Sequence, residues 1–569
     1  MPEEFSERRR ATAWLQRPAG LFAQEHVEDD LGAGHPALRA GRLYRRVSGV
    51  DRHAREVGPE ELAALGDPMA TLFFRRNVFP MAVQDLLDGL PDAPDQPKVY
   101  LVSEAGTIPS ASAPHLRRDI RFAITYAVRG TEADLMISTG ANSAPRTTFL
   151  QVAAWDDTHQ LFNYYMRIAP AWVWTGNSWD ALAPGSRGRG CFDSHINGSV
   201  VMKELKQPWP NWQSQSAAIQ LAEDDPLRDN PLYQRVIGAE NLESTIRSQI
   251  NRWTRARLRA VTADGTVQHP DHLLRQLFTT TAVNLTSTAT QSASIRPGDD
   301  PLPLPMGFWL NNDALLDDLE LEVEAAVPAT TTARYAHSLE TFGFRLEEKA
   351  SGFSRPGDTF FAFVVPEAAL EDNTVVRVLC EQGLISRKFA ACVLMVDFPN
   401  PVFSPDRARL MRYVPTTATA ADAVGDQLAH RILDAAAELP ADSPEGRFAA
   451  HWNRPDATWR TDFSRRLTDY LEKVQQRITT EEGFDDYVRL AESRRRRFKA
   501  MRLNEFELTL PTTDIPATAA ELRMREDATV EEAEAEEDSV EAATGQEATE
   551  KQATEEPGHR VRTDRGAPP

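Results

Sequence analysis

The chain has 569 residues, 41% of them hydrophobic and 8% aromatic, which suffices for about two or three domains with large cores. A formal net charge of −21 disfavours nucleic acid and anionic membrane surfaces as general partners. No stretch reaches the roughly 20 apolar residues of a membrane-spanning helix, and the start, MPEEFSERRR, carries neither a secretory leader nor a lipidation motif, so the expected location is cytoplasmic.

Residues 1–95 mix charge, Gly and Pro with short helical patterns and are expected to form a peripheral helical region. One helix is placed at Pro59 to Leu65, where Pro and Glu open the first turn. Within 96–215, the β-rich runs VYLVS, RFAITYAV, DLMIS, TTFLQVAAW, QLFNYYMRI and AWVWT follow one another between turn residues, the spacing of an antiparallel meander. The region 216–415 reads as mixed α/β: helical periodicity covers Leu242–Val261 and Asp271–Leu285, and the apolar runs Thr359–Val365 and Phe389–Asp397 are expected as buried strands. In 416–510, Phe463, Leu467, Tyr470, Val474 and Ile478 step by four, three, four and four along one helical face. A second helix from Phe484 to Met501, after a break at Gly483, would complete an αα-hairpin. The whole is α+β, an antiparallel meander followed by a mainly helical half.

Residues 511–569 are expected to be a linker and a disordered acidic tail. From Glu526 onward there are fourteen acidic and four basic residues with no aromatic, Leu or Ile, so nothing offsets the entropy of ordering. This tail carries −10 of the net charge and leaves the body at −11. The basic run Arg494 to Arg497, with Lys499 and Arg502, is read as a solvated helix face that the acidic tail covers rather than as a nucleic-acid surface.

Six of the eleven tryptophans fall between Trp155 and Trp212, and the same span carries Cys191, His195 and the tract GSRGRG, Gly185 to Gly190. Trp172, Trp174 and Trp179 are candidates for the wall of a water-poor pocket. Arg187 and Arg189 are candidates for anion contacts, and the tract matches neither nucleotide-binding glycine pattern. Asn197-Gly198 is a turn signal, so His195 is placed in a loop before a helix through Val200–Leu205, with Asn197 or Ser199 as its cap and Asn197 also as a ligand contact. His195 is then a general base or a metal ligand, Asp193 its carboxylate partner, and Cys191 a nucleophile or third ligand. Asp156, Asp157 and His159 are further metal candidates, although WDDTH reads first as a hairpin turn.

The pattern Cys191-x-x-Ser194-His195 resembles the haem-attachment motif of c-type cytochromes over five residues, with Ser194 where the second thioether cysteine stands. The resemblance implies His195 as an axial ligand and haem as the group. Three cysteines at wide spacing suit reduced thiols rather than disulfides. The leading expectation is an enzyme acting on a small organic substrate at His195, with a transition metal or haem as its cofactor. The competing expectation is a non-catalytic binding or assembly protein. Oligomeric state is not encoded in any feature of the sequence.

Overall fold

The computed structural model describes residues 38–533 apart from 92–95, 105, 117–119, 129–131, 142–145, 147, 201–204, 349–351, 360, 418 and 502–510. Two short strands, β1 (Leu43–Arg45) and β2 (Arg55–Glu56), precede six that correspond to the alternating runs. These are β3 (Lys98–Val102), β4 (Arg121–Tyr126), β5 (Leu135–Gly140), β6 (Leu150–Asp156), β7 (Leu161–Ile168) and β8 (Ala171–Asn177). Strands β3 to β8 pair antiparallel in chain order, and β1 adds to β8 in parallel, giving one sheet of order β2-β1-β8-β7-β6-β5-β4-β3.

Period-2 alternation gives the sheet two different faces. One face presents Phe122, Ile124, Leu135, Ile137, Leu150, Val152, Tyr165, Trp172 and Trp174, which pack on Met69, Leu72, Phe73 and Leu86 of the N-terminal segment. The other presents smaller and more polar residues and joins the core of the helical half, which is continuous with Ala123, Ala153 and Tyr164 of the sheet.

The longer helices of that half are α1 (Glu240–Val261), α2 (Pro270–Phe278), α3 (Thr332–Thr341), α4 (Leu370–Glu381), α5 (Arg387–Leu394), α6 (Val424–Ala436), α7 (Pro444–Trp452), α8 (Trp459–Ile478) and α9 (Glu481–Ala500). A two-stranded sheet of β9 (Val283–Thr286) and β10 (Val365–Ala368) runs antiparallel among them. Helix α4 packs on both α1 and α2. No helix among the described residues is long and apolar enough to cross a membrane.

Several local expectations are corrected. The run at Phe389 is helix α5, not a strand: Ser386 caps it by accepting from the Phe389 N–H, and a segment buried all round shows no period that separates helix from strand. The helix expected from Asp271 stops at Phe278, and the chain re-enters as β9; among the described residues of the run 359–365, Val365 alone lies in a strand. The predicted helix through Val200–Leu205 falls mainly on 201–204, outside the described residues, and Leu205 itself is not helical.

In the α8–α9 hairpin, Phe463, Leu467, Tyr470, Val474 and Ile478 are all buried. Gly483 does not break the second helix, which starts at Glu481 under the Thr480 cap. A Cβ on Gly483 would lie 2.3 Å from the Arg477 carbonyl oxygen, so glycine permits the tight turn between the helices.

The C-terminal boundary also moves. Residues expected to be unstructured from 511 include a hairpin of β11 (Leu522–Met524) and β12 (Val530–Glu532) packed on α9, and the acidic tail from 534 lies outside the described residues. The basic run is not a solvated face. Arg494 and Arg495 are 4% and 0% exposed, and Arg495 donates to the carbonyls of Phe361, Ala362 and Val364 and pairs with Glu492. Those carbonyls belong to an irregular segment, so a guanidinium supplies the donors that a neighbouring strand would otherwise provide.

Candidate functional site

The more polar face of the sheet carries two cross-strand rows of side chains. Register aligns Ala123, Ser138, Gln151 and Met166 in one row, and Met136, Ala153 and Tyr164 in the next. Small residues at Ala123, Ser138 and Ala153 leave a depression between the larger ones. It forms the floor of a small cavity, open to solvent, walled by Thr175, Cys191, His195 and Val200. Arg121, Ser138, Gln151 and Met166 are half-buried, whereas Ala123, Ala153 and Tyr164 are buried. The lining is apolar with a few polar groups, the composition of small-molecule sites.

A bulge shapes one wall. Tyr164 pairs with Gly176 and Tyr165 with Trp174, so Thr175 is the extra residue, and its hydroxyl donates to the Tyr164 carbonyl oxygen at 3.1 Å. Gly176 holds φ +117°, and a Cβ there would lie 3.1 Å from the Phe192 ring. Glycine therefore admits Phe192, which is fully buried edge-on to Tyr164 with ring centroids 5.7 Å apart. Phe192 anchors the 3₁₀ turn Gly190–Asp193, and the turn delivers Cys191 and then His195 to the cavity.

The thiol of Cys191 sits 3.1 Å from Thr175 Oγ1. The His195 ring stacks on Tyr164 with centroids 4.8 Å apart. Its Nδ1 lies 3.0 Å from the Ser199 carbonyl oxygen. A carbonyl only accepts, so Nδ1 carries the proton and, in the neutral ring, Nε2 carries the lone pair. Burial pushes the Tyr164 phenol well above its ordinary range, reinforced by Cys191 and Glu371, so Tyr164 is neutral near pH 7.

The remaining sequence candidates fall elsewhere. Trp172 and Trp174 lie on the opposite face of the sheet: Trp172 donates its indole N–H to the Pro80 carbonyl at 2.8 Å, and Arg45 stacks over Trp174 at 5.3 Å. They are two residues apart on one strand and so share a face, while Thr175 joins the cavity face. Trp179 is 37% exposed and packs edge-on against Trp253 at 5.2 Å. Asn197 donates to Thr281 Oγ1 at 2.9 Å, and its carbonyl accepts the Trp253 indole N–H at 2.8 Å, which ties the turn to α1 and to the segment before β9. Arg189 is exposed, and Arg187 turns inward toward Arg257 and Arg275. Sequence reasoning missed the floor itself. The signal was present as the alternation of Arg121, Ala123, Ser138, Gln151 and Ala153 with the large apolar residues of the other face.

The residues do not fit the expected metal site. Among the described residues, Cys191, Asp193 and His195 form no converging set of three ligand atoms; the set that does is His269, Asp271 and His272, on and just before α2. Asp193 accepts from the Ser194 hydroxyl at 3.1 Å and does not line the cavity. Ser194, at the place of the second haem cysteine, is buried and bonds to the Cys191 carbonyl and to Asp193, so the haem pattern ends in hydrogen bonds within its own turn. Asp156 is fully buried in the hairpin turn between β6 and β7, accepting from Gly66, Thr158 and His159. No protein-family model, curated protein or solved structure matches the chain.

Proposed function

We propose that the protein is an enzyme acting on a small, largely apolar organic molecule bound on the floor of the sheet cavity. His195 is its acid–base group and Cys191 stands beside the reacting atoms. One observation carries this reading: a single concave site brings an oriented imidazole and a thiol together over a floor of small side chains. The Ser199 carbonyl holds the imidazole proton on Nδ1, so Nε2 is the nitrogen that takes a proton from substrate and returns it. Neutral Tyr164 supports the ring face to face and adds no charge. The thiols Cys191, Cys380 and Cys392 form no disulfide, which fits action in the cytoplasm.

The test is untargeted. Wild-type protein and His195→Gln are incubated with a mixture of cellular small molecules, and depletion is followed by mass spectrometry. Depletion of a compound by wild type and at least 100-fold slower by His195→Gln is expected, with both proteins unfolding at similar temperature. A compound that binds in the cavity but is never consumed sinks the catalytic reading and leaves a binding protein. Equal depletion by the variant removes His195 from the chemistry.

A further inference from the structure

A second polar cluster lies where the loop Gly185–Gly190 meets helices α1 and α2. We propose that Arg187 and Arg257 form an oxyanion site there, which takes the carboxylate or phosphate group of a small molecule. The inference does not rest on the reading of the cavity.

The first observation is geometric. Nε and Nη2 of Arg187 are both buried and have no hydrogen-bond partner. These two nitrogens share one edge of the planar guanidinium, the edge that grips two oxygens of a carboxylate or phosphate at once. Arg257, on α1, is 3% exposed, and its Nη2 is likewise buried without a partner. A guanidinium withdrawn from water with N–H groups unused costs several kcal/mol unless another group offsets it.

The second observation is charge. Arg187 feels the like charges of Arg275 and Arg257 and the opposite charge of Asp271; Arg257 feels Asp271 and Glu371. Asp271 lies 3.9 Å from Arg275 and 3.5 Å from His272. Burial holds the His272 imidazole down to about 4, so it adds no charge near neutrality. Among the described residues, the cluster sets the three guanidiniums of Arg187, Arg257 and Arg275 beside the carboxylates of Asp271 and Glu371. Burial first, then the neighbouring arginines, lowers Arg187 to about 9, and Asp271 opposes the shift.

The same place contains the His269, Asp271 and His272 set, whose ligand atoms lie within 4.8 Å of one another. A divalent cation there would face buried N–H groups of Arg187 and Arg257 that have no acceptor, whereas an anion supplies one. Pro184, Gly185 and Arg189 are exposed, so the loop that carries Arg187 lies at the surface. Gly188 and Gly190 hold φ of +65° and +57°, which lets the loop curl so that Arg187 turns in while Arg189 turns out.

Thermal unfolding of the full chain, titrated with inorganic phosphate or with acetate against sodium chloride of equal ionic strength, tests the proposal. A rise in Tm that saturates is expected with at least one anion; a rise linear in concentration is solute exclusion from the surface and counts against the site. Saturation by phosphate alone, acetate alone or both supports the site and tells which group it takes. Arg187→Gln should lose the saturable rise while unfolding, without added anion, no lower than wild type. Arg187→Lys, which keeps the charge and loses the two-donor edge, should weaken binding about tenfold or more. Broadening of the phosphate ³¹P resonance, or of the acetate methyl resonance, by wild type and not by Arg187→Gln gives a reading independent of stability. The proposal is overturned if neither anion acts beyond chloride, if Arg187→Gln responds like wild type, or if zinc stabilises where both anions fail.

Discussion

Thr175 Oγ1 lies 3.1 Å from the sulfur of Cys191, so the residue that bulges out of the sheet also holds the thiol at the cavity wall. The other two thiols are placed differently. Burial pushes Cys380 and Cys392 up to about 12, and the thiolate is the form that reacts. Limited alkylation with iodoacetamide at pH 8 should label Cys191 first, as read from the modified peptides by mass spectrometry. A compound bound in the cavity should slow that labelling and leave the others unchanged. Cys392 labelled as fast as Cys191 would mean that solvent does not enter the cavity.

Ala153 should be the residue that keeps the cavity open. It sits in register between Met136 and Tyr164 and is 7% exposed. Ala153→Leu places three more carbons on the floor. Overpacking should cost about 1–3 kcal/mol in urea unfolding, and binding of any cavity ligand should be lost. If the ligand binds Ala153→Leu as tightly as wild type, its site is elsewhere.

Asp372 should make stability fall as pH rises. It is buried and accepts from the Thr281 N–H at 3.1 Å and from the Thr281 hydroxyl, and burial pushes its carboxyl up to about 7. Between roughly pH 4, where the unfolded chain loses this proton, and pH 7, the native state still holds it. The contribution is therefore complete below pH 4 and disappears through pH 7, with a slope of at most ~1.4 kcal/mol per pH unit. Asp67, raised to about 6 by burial, acts in the same direction. His451 acts in the other: burial, then Arg466, lowers it to about 3, so its contribution is present above roughly pH 6.5 and is lost as pH falls toward 3. The measurement is therefore a difference, the unfolding free energy of wild type minus Asp372→Asn, which should be larger at pH 5 than at pH 8. A pH-independent difference would place the Asp372 carboxyl at its ordinary value.

The meander was legible because alternation with turn residues every few positions admits few other structures, and the five-residue stripe on α8 was legible for the same kind of reason. The parallel pairing of β1 with β8 was not: three residues, Leu43–Arg45, are too few to show a period. Within the site, Cys191, His195 and Arg187 stood out by residue type, but their surroundings did not. Trp172 and Trp174 looked like pocket wall by proximity in sequence, yet strand parity sends them to the opposite face, and the bulge at Thr175 carries no sequence mark beyond Gly176. Arg494 and Arg495 looked solvated because a run of charge usually is, and the carbonyls that receive Arg495 lie more than a hundred residues earlier.

A chain ending at residue 533 should unfold at the wild-type urea midpoint, whereas one ending at residue 510 should not. The segment between these ends supplies Met524, 2% exposed, whose backbone N–H and C=O both bond to the Asn400 side chain, and the Ala528 carbonyl that accepts the Tyr487 hydroxyl. Its loss should cost on the order of 3 kcal/mol from one buried side chain and the hydrogen bonds left unmade. Equal midpoints for the two truncations would show that the hairpin adds nothing to the fold.

The reach of Arg495 also sets an order of events during synthesis. The carbonyls of Phe361, Ala362 and Val364 precede their guanidinium partner by 131 to 134 residues. Until α9 leaves the ribosome they stay hydrated, and the segment leading into β10 has no dry place to settle. The meander has no such wait, since each of its strands pairs with the one just made and the ladder can close once Asn177 has emerged. A nascent chain stalled before residue 481 should therefore resist protease in the sheet while remaining open to cleavage around residue 361.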